Sequence, residues 1–400
     1  MLHPAVLTLS LAVFATMLGN CMVMSFLPIY VQQFGFGELG AGLLFSVHAA
    51  TRTLILPFTG RLSDRWERKY FLLAGLFFYT VTSFAYLPAD TVASFILIMI
   101  VHGTATAIMH PVAMAYVGDL APAGQEGRYS GSLNTAMLGG VAGGPLLGGI
   151  IKDVWGMPAN FLIMGGLSLA ALVALTAFLP RIAGSANARR PAVAFRSLFA
   201  SKPLVGMACF RFSYALTNAL TWVFLPLLAT RLLPLSTTEV GVLISLNVIV
   251  SALLQTPCGR LADRVNKAYL IALGGLGGAL GLAVFPFAGE FWHLLVLNIW
   301  VGAMYGLAFP SHTALAMEHG QRYGMGTVMS LLMMAHGVGM MVGPAVFGSL
   351  ASQSGLAGAF WIGGFAGAVL IVVCAVLVNS PDLPHSATRP ASGTQPAVAD

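Results

Sequence analysis

The sequence predicts an all-α membrane protein with twelve transmembrane helices, arranged as two pseudo-symmetric six-helix bundles. Three observations lead to this prediction. Of the 400 residues, 58% are hydrophobic and 8% are charged, whereas soluble domains carry about 25% charged residues. Apolar runs long enough to cross a membrane follow one another along the chain. Finally, a short charged sequence returns 199 residues after its first appearance.

The apolar runs are separated at charged and turn-rich points. Each is close to the ~20 residues that a helix needs to cross the hydrocarbon layer. The first has neither a basic leader nor a small-residue cleavage site, so we interpret it as a retained span. The twelve predicted spans are 5–31, 38–59, 69–88, 91–119, 129–151, 158–180, 203–230, 237–258, 268–288, 291–317, 325–350 and 357–379.

One long connection divides the spans into two sets of six. Residues 182–202 are basic, rich in small residues and contain a proline, which is typical of a linker. We therefore predict an N-terminal bundle over 1–181 and a C-terminal bundle over 203–381. Residues 382–400 have no apolar periodicity, and we expect a disordered tail there.

The basic residues predict the orientation. If both termini lie on one side, fifteen of the nineteen Lys and Arg residues lie on that side. The positive-inside rule then places both termini in the cytoplasm, in a multi-pass protein of the cell inner membrane. Topology and anionic headgroups account for the net charge of +6, so we expect membrane lipids and no nucleic acid as partners.

Motifs for other chemistry are absent from the sequence. The four cysteines lie in apolar runs without CxxC spacing, so we expect neither disulfides nor a metal site from them. The sequence has no phosphate-binding loop, no GxSxG and no HExxH motif. We therefore predict neither an enzyme nor a resident cofactor.

The repeat has one register throughout. "GRLSDR" at 60–65 returns as "GRLADR" at 259–264, Gly144-Pro145 returns as Gly343-Pro344, and Pro111 returns as Pro310. All three offsets are 199 residues. A repeat of this kind predicts two homologous bundles in parallel arrangement, as in one large class of secondary transporters.

The stretch "GRLSDRWERK" resembles the signature G-x-L-x-D-R-x-G-R-K of the major facilitator superfamily. The matching residues are Gly60, Leu62, Asp64, Arg65, Arg68 and Lys69, and Glu67 replaces the second glycine. The fifth predicted span resembles a second signature of that family, G-x-x-x-G-P-x-x-G-G, through Gly140, Gly144, Pro145, Gly148 and Gly149. The first span resembles the same branch in part, with Leu18, Gly19 and Pro28, but with Ser25 where a proline is common.

The resemblance implies the twelve-helix major facilitator fold, and the motif in the fifth span is typical of exporters, especially drug/proton antiporters. It also implies a conformational switch at the two repeated loops, formed by Gly60, Asp64, Arg65, Arg68, Gly259, Asp263 and Arg264. We expect Gly60 and Gly259 to allow close approach of neighbouring helices. Asp64 would face a helix N-terminus or a basic side chain. Alternatively, these loops serve only to set the topology.

Two arginines lie inside predicted spans, where an ionisable residue is a functional candidate by default. Arg52 follows His48 by one turn in the second span, and Arg211 shares a stripe with Tyr214, Asn218 and Trp222 in the seventh. The resemblance implies that spans 1, 4, 7 and 10 line a central cavity, flanked by 2, 5, 8 and 11. Two cationic groups there indicate a substrate with an anionic part. Alternatively, Arg52 binds backbone carbonyls or polar groups between helices.

Further polar residues complete the predicted substrate site. His102 and His110 share a face of the fourth span with Thr106. A metal site would require several histidines to converge, which the sequence does not indicate, and a structural role remains open for each. The full set of cavity candidates is Asn20, His48, Arg52, His102, His110, Asn134, Arg211, Tyr214, Asn218, Trp222, Tyr305, His312 and His336.

Of the thirteen Asp and Glu residues, eight fall on the cytoplasmic side, Asp119 and Glu318 among them, five fall at the outer ends of spans, and none lies mid-span. Drug/proton antiporters of the family commonly use a membrane carboxylate. The frequent arginine of the fourth span is also replaced, by Met99. A histidine, whose pKa is ordinarily about 6.5, is an alternative proton carrier. Uniport of an anion, or exchange for another anion, would need no proton.

The leading hypothesis is a monomeric secondary active transporter that works by alternating access. It would export a small amphipathic or anionic compound, with protons as a candidate coupling ion. The second hypothesis is a uniporter, exchanger or importer of an organic or lipid-like anion. The third is a membrane receptor without transport activity, which the absence of a soluble signalling domain disfavours.

Overall fold

The computed structural model describes residues 3–63, 66–122, 124–180 and 201–380, and these ranges contain helices and no strands. The predicted all-α class is confirmed. We number the helices α1–α12, in the order of the predicted spans. They are α1 (Pro4–Met24, continued by Leu27–Tyr30 and a 3₁₀ turn, Val31–Phe34), α2 (Glu38–Ser63), α3 (Arg68–Ala85), α4 (Val92–Leu120), α5 (Glu126–Trp155), α6 (Met157–Phe178), α7 (Lys202–Ala219, continued by a π-helical turn, Leu220–Phe224, and Leu225–Leu232), α8 (Thr237–Ala262), α9 (Lys267–Val284) and α10 (Phe291–Tyr323), followed by Met325–Val378.

The last helix contains two spans. Met325–Val378 is 54 residues long and bends at Gly355, which has φ 76° and ψ 168°. This backbone conformation suits glycine because it has no Cβ. We call 325–354 α11 and 356–378 α12. In the described ranges, ten helices are long and apolar enough to cross a membrane. The 54-residue helix counts as one of these ten, and α3 is not among them. The number of twelve spans therefore stays a prediction.

The end of the predicted linker differs from the structure by one residue. Lys202, which we placed in the linker, begins α7, with Pro203 in its first turn. A proline is tolerated there because the first N–H groups of a helix have no intrahelical acceptor. The rest of the predicted linker and the predicted tail lie outside the described residues.

The two ends of the molecule differ. The basic end carries the turns between α2 and α3, α4 and α5, α8 and α9, and α10 and α11. We call the opposite end the closed end because the N-terminal half (3–180) and the C-terminal half (201–380) meet there. In pairs of described residues, the hydrogen bonds and ion pairs that join the halves all lie toward this end.

Glycines bring the two halves into backbone contact at the closed end. Gly42 of α2 lies against the carbonyl of Pro344 in α11, and Gly241 of α8 lies against the carbonyl of Pro145 in α5. A Cβ at either glycine would overlap that carbonyl. The two contacts are related by the 199-residue repeat, so the halves pack through the same interaction twice. Gly149 on the carbonyl of Thr237 extends the second contact.

The glycine motif of α5 therefore has two faces. Gly140, Gly144 and Gly148, spaced four residues apart, pack against the backbone of α1, where a Cβ at Gly148 would stand 2.7 Å from the Cα of Met22. Gly149 and the Pro145 carbonyl face the C-terminal half instead. Within lipid, small residues stabilise helix pairs by allowing this close approach.

A carboxylate completes the closed end. Asp153 of α5 accepts hydrogen bonds from the backbone N–H groups of Thr237 (3.1 Å) and Thr238 (2.7 Å), and from both threonine hydroxyls (2.5 and 2.6 Å). These are unsatisfied N–H groups of the first turn of α8, where a negative charge also interacts favourably with the helix dipole. Arg231 forms an ion pair with Glu38 across the other contact.

At the basic end, the ion pairs that we describe lie within each half. Arg68 Nε lies 2.8 Å from Asp119 Oδ2, and Lys267 Nζ lies 2.9 Å from Glu318 Oε1. The second pair follows the first by 199 residues. Each pair joins the start of one helix (α3 or α9) to the end of the next (α4 or α10), so each half is stabilised separately.

Among the described residues, neither glycine of the predicted switch loops packs against the other half in this conformation. A Cβ at Gly60 would have no neighbouring atom within 4 Å, and one at Gly259 would meet only Pro310 of its own half, at 3.8 Å. The close approach that we expected at both glycines is therefore not made here. Asp64 and Arg65 lie outside the described residues, whereas Asp263 and Arg264 are exposed just after α8.

We predict that Gly149→Val opens the closed end, because the added side chain would overlap the Thr237 carbonyl. Spin labels at the exposed positions 154 and 232 of a cysteine-free variant should move apart, as measured by pulsed electron spin resonance. Gly131→Val on the same helix is the control, because no atom lies within 4 Å of that site. An unchanged distance in Gly149→Val would contradict this account of the contact.

We also predict that Asp153→Asn weakens the closed end. The amide nitrogen would face hydrogen-bond donors, and a charged hydrogen-bond acceptor typically contributes about 1.5–3 kcal/mol. The same label pair should report a larger open population. Asp90→Asn, at an exposed position of the same end, should leave the distance distribution as it is.

Candidate functional site

The site begins where α2 and α4 touch. Gly103 of α4 lies against the backbone of α2, and a Cβ there would stand 2.6 Å from the His48 carbonyl and 3.3 Å from the Arg52 nitrogen. The repeat reproduces this contact, with Gly302 against the carbonyl of Asn247. The close approach places His48 and Arg52 inside the N-terminal half, next to the polar face of α4.

A buried polar cluster surrounds His48. Its Nε2 lies 3.3 Å from the hydroxyl of Thr106, which is 3.1 Å from the hydroxyl of Tyr79. His102 packs edge-to-face against His48, with ring centroids 5.2 Å apart, and its Nδ1 lies 3.2 Å from the hydroxyl of Tyr86. Because His102 is 0% exposed, this cluster belongs to the interior of the bundle.

Arg52 lies one turn beyond the cluster and has no ion pair or hydrogen bond with a described residue. It is half-buried, and it follows His48 by one turn of α2. The alternative that Arg52 binds backbone carbonyls is not realised among the described residues. Its guanidinium is therefore unpaired among the described residues.

A second half-buried arginine, Arg211, lies in α7 of the C-terminal half. It lies over the ring of Phe309, 5.0 Å from the centroid, and also has no acidic partner among the described residues. Tyr214, one turn further along α7, packs edge-to-face on Tyr305 at 4.8 Å and stacks on His336 at 6.2 Å. Aromatic side chains thus form the surroundings of this second arginine.

His336 links the two arginines. Tyr214, one turn from Arg211, stacks on its ring. Gly337, the next residue of α11, packs against Thr53, which follows Arg52. The Nδ1 of His336 has no hydrogen-bond partner among the described residues. Both arginines, from opposite halves, therefore lie near His336, and we call the surroundings of this residue the shared space. The described acidic residues all lie near helix ends, away from this space. Two unpaired cations beside aromatic rings suit an amphipathic anion.

Comparison with known proteins places this architecture in a family. The model of the Major Facilitator Superfamily matches residues 9–216 and 207–399, which together span nearly the whole chain. The chain belongs to the major facilitator superfamily. It is accordingly a membrane transporter, and the family resemblance stated from its motifs is confirmed.

Several transporters of this superfamily are similar over most of their length. An MFS-type transporter of Methanocaldococcus jannaschii is 29% identical over 362 residues, which cover 89% of this chain and 93% of the relative. Multidrug resistance protein MdtG of Klebsiella pneumoniae is 26% identical over 395 residues, covering 96% and 93%. The multidrug resistance efflux pump PmrA homolog of Lactococcus lactis is 27% identical over 348 residues, covering 82% and 84%.

Solved structures of other superfamily members share the fold. A bacterial homolog of the human lysosomal transporter Spinster, in an inward-facing and unoccupied conformation, matches with a TM-score of 0.78 at 15% identity, covering 94% of this chain and 95% of that one. The nucleoside transporter NupG gives a TM-score of 0.78 at 15% identity, covering 95% and 100%.

The structure of this superfamily member places the predicted cavity residues in three groups. Arg52, Arg211 and Tyr214 lie around His336, and His110 is half-buried in α4. His102, His312 and Tyr305 are enclosed within the bundles: His312 Nε2 lies 3.1 Å from the Met207 carbonyl, and the Tyr305 hydroxyl lies 3.0 Å from that of Thr217. The remaining candidates are Asn20, His48, Asn218 and Trp222, which are half-buried, and Asn134, which is exposed.

The sequence prediction missed the partners of these residues. Tyr79 of α3 and Tyr86, which directly follows α3, were not selected, although their seven-residue spacing predicts one helical face. Asp119 and Glu318 were assigned only to a side of the membrane. Asp119 and Glu318 are 199 residues apart, as are Arg68 and Lys267. This shared offset was the signal that would have identified both ion pairs.

We predict that Thr106→Val destabilises the N-terminal half, because it removes the hydroxyl shared by His48 and Tyr79. An unsatisfied buried polar group costs about 1–3 kcal/mol, so the thermal unfolding temperature in detergent should fall. Thr104→Val is the matched control, since its hydroxyl bonds only to the Ile100 carbonyl of its own helix. Equal unfolding temperatures for the two variants would contradict a stabilising role for the cluster.

Proposed function

We propose that this transporter moves a small amphipathic anion by alternating access, with Arg52 and Arg211 as its anion-binding groups. The observation that carries the proposal is the pair of arginines without acidic partners, one from each half, beside one space. Charges inside a membrane are unfavourable unless they are paired or functional. A bound anion would supply the missing partner for both.

The proposed cycle rocks the two halves against each other. The halves meet at the closed end, while Gly60 of the basic end has no neighbour within 4 Å. Under the positive-inside rule the basic end is cytoplasmic, together with both termini, in the cell inner membrane. The structure then represents an inward-open state of a monomeric carrier that is surrounded by lipid.

Export is the proposed direction, and the names of the relatives support it. MdtG is a multidrug resistance protein, and the PmrA homolog is an efflux pump. An inside-negative membrane potential also favours the exit of an anion, by about 2.3 kcal/mol per elementary charge for each 100 mV. Anion export therefore does not require a membrane carboxylate.

The mode of coupling has three candidates. Exchange for protons would require a histidine as carrier, since the described Asp and Glu residues lie near helix ends. The other two are voltage-driven uniport and exchange for a second anion, and either could also import an organic anion. The alternatives differ in whether transport follows the pH gradient, the voltage or an anion on the opposite side.

We predict that Arg52→Gln and Arg211→Gln each weaken the binding of naphthalene-2-sulfonate by about 10- to 100-fold, because a hydrogen bond to a charged group contributes about 1.5–3 kcal/mol. Naphthalene-2-sulfonamide has nearly the same shape without the charge, and its affinity should change less than about twofold. Calorimetric titration of the purified protein measures both constants.

Arg128→Gln is the control variant, because Arg128 is an exposed residue of the basic end. It should bind both compounds as the unaltered protein does. An equal loss of both compounds in the Arg52 and Arg211 variants would mean that the arginines maintain the fold. Absence of sulfonate binding to the unaltered protein would contradict the proposed substrate class.

A further inference from the structure

The two arginines of the proposed anion site belong to opposite moving parts. Arg52 lies in α2 of the N-terminal half, and Arg211 lies in α7 of the C-terminal half. Any motion that closes the basic end changes the distance between them. A pair of arginines within one half would instead keep a constant separation throughout the cycle.

The last contact between the halves before they separate lies beside Arg52 and His336. Gly337 of α11 packs against Thr53 of α2, where a Cβ would stand 2.7 Å from the threonine side chain. These residues directly follow His336 and Arg52 in the sequence. Further toward the basic end, Gly60 of α2 and Gly326 of α11 have no neighbouring atom within 4 Å. Arg52 therefore lies where the opening between the halves begins.

Arg211 lies on the same side of this contact. It is nine residues from Lys202, the first residue of α7 at the basic end. Closure of the basic end would bring the wall that carries Arg211 toward the wall that carries Arg52. Two like charges would then approach each other in a medium of low dielectric, where repulsion is stronger than in water.

Nothing among the described residues neutralises this repulsion. The ion pairs of the described ranges use other residues, and the imidazole of His336 brings no negative charge. An anion between the guanidinium groups would reverse the sign of the interaction and attract both walls. The empty and loaded proteins therefore differ in how readily the basic end closes.

We propose that the carrier changes conformation only with an anion between Arg52 and Arg211, so that it exchanges one anion for another and does not return empty. The inference rests on the proposed anion site and defines its coupling. The counter-substrate would be a second small anion taken up from the opposite side. Neutral compounds would not replace it, because they leave the two charges unscreened.

Exchange can be tested in proteoliposomes loaded with radiolabelled naphthalene-2-sulfonate, with the membrane potential clamped at zero. We expect unlabelled naphthalene-2-sulfonate outside to accelerate release of the label at least tenfold over plain buffer. External naphthalene-2-sulfonamide should not accelerate it. Equal release with and without the external anion would overturn the exchange proposal while leaving the anion site intact, whereas absence of any sulfonate binding would contradict the site itself.

Two variants distinguish charge repulsion between the arginines from the affinity for the anion. Arg52→Lys keeps the positive charge and should retain the acceleration. Arg52→Gln removes the positive charge. With this variant at saturating internal sulfonate, the rate of label release should differ by less than about twofold between external anion and plain buffer. If Arg52→Gln still showed tenfold acceleration, charge repulsion would not control the return step.

A conformational measurement gives an independent result without transport. Spin labels at positions 62 and 325, both exposed at the basic end, should report an open end in the ligand-free protein and a shorter distance with naphthalene-2-sulfonate. Ligand-free Arg52→Gln should already populate the shorter distance, whereas ligand-free Arg52→Lys should not. Identical distances in all ligand-free proteins would overturn the proposal.

Discussion

Backbone contact between the two halves is the constraint on which the rest of the structure depends. In a bilayer, moving an apolar side chain from lipid to a helix interface changes its free energy little. Helices therefore associate through close packing and polar interactions. The contacts of Gly42 with Pro344 and of Gly241 with Pro145 supply the packing. Asp153 supplies the polar part, since it binds N–H groups that begin α8. With the halves joined at this end, the half-buried Arg52 and Arg211 lie further toward the basic end.

The presence or absence of a polar partner distinguishes the structural from the candidate functional residues. The polar groups near His102 mostly bind one another, and its side chain is enclosed. Arg68 and Lys267 each have a carboxylate within 3 Å. Arg52 and Arg211 have none among the described residues. The same half-buried environment that makes an unpaired arginine unfavourable strengthens its attraction for an anion.

Much of this arrangement could be predicted from the sequence. Span positions follow from apolar length, so the predicted second and eighth spans, 38–59 and 237–258, begin within a residue of α2 and α8. The 199-residue repeat, found in three motifs, extends to the contacts of Gly42 and Gly241. Burial of His102 could not be predicted, because periodicity shows which residues share a face but not which helix covers it. The bond from Asp153 to α8 joins positions 84 residues apart, and no local pattern indicates such a pair.

The repeated glycine contacts have a consequence for the origin of the chain. Gly42 meets Pro344 as Gly241 meets Pro145, so each half presents the same two surfaces to the other. A single ancestral six-helix protein with those residues would meet a second copy of itself through an isologous interface, as in two-fold symmetric homodimers. Fusion of the two copies would then free each position to diverge. Asp153, whose counterpart in the second half is Ser352, and Arg52, whose counterpart is Ser251, are residues at which the ancestral symmetry has been lost.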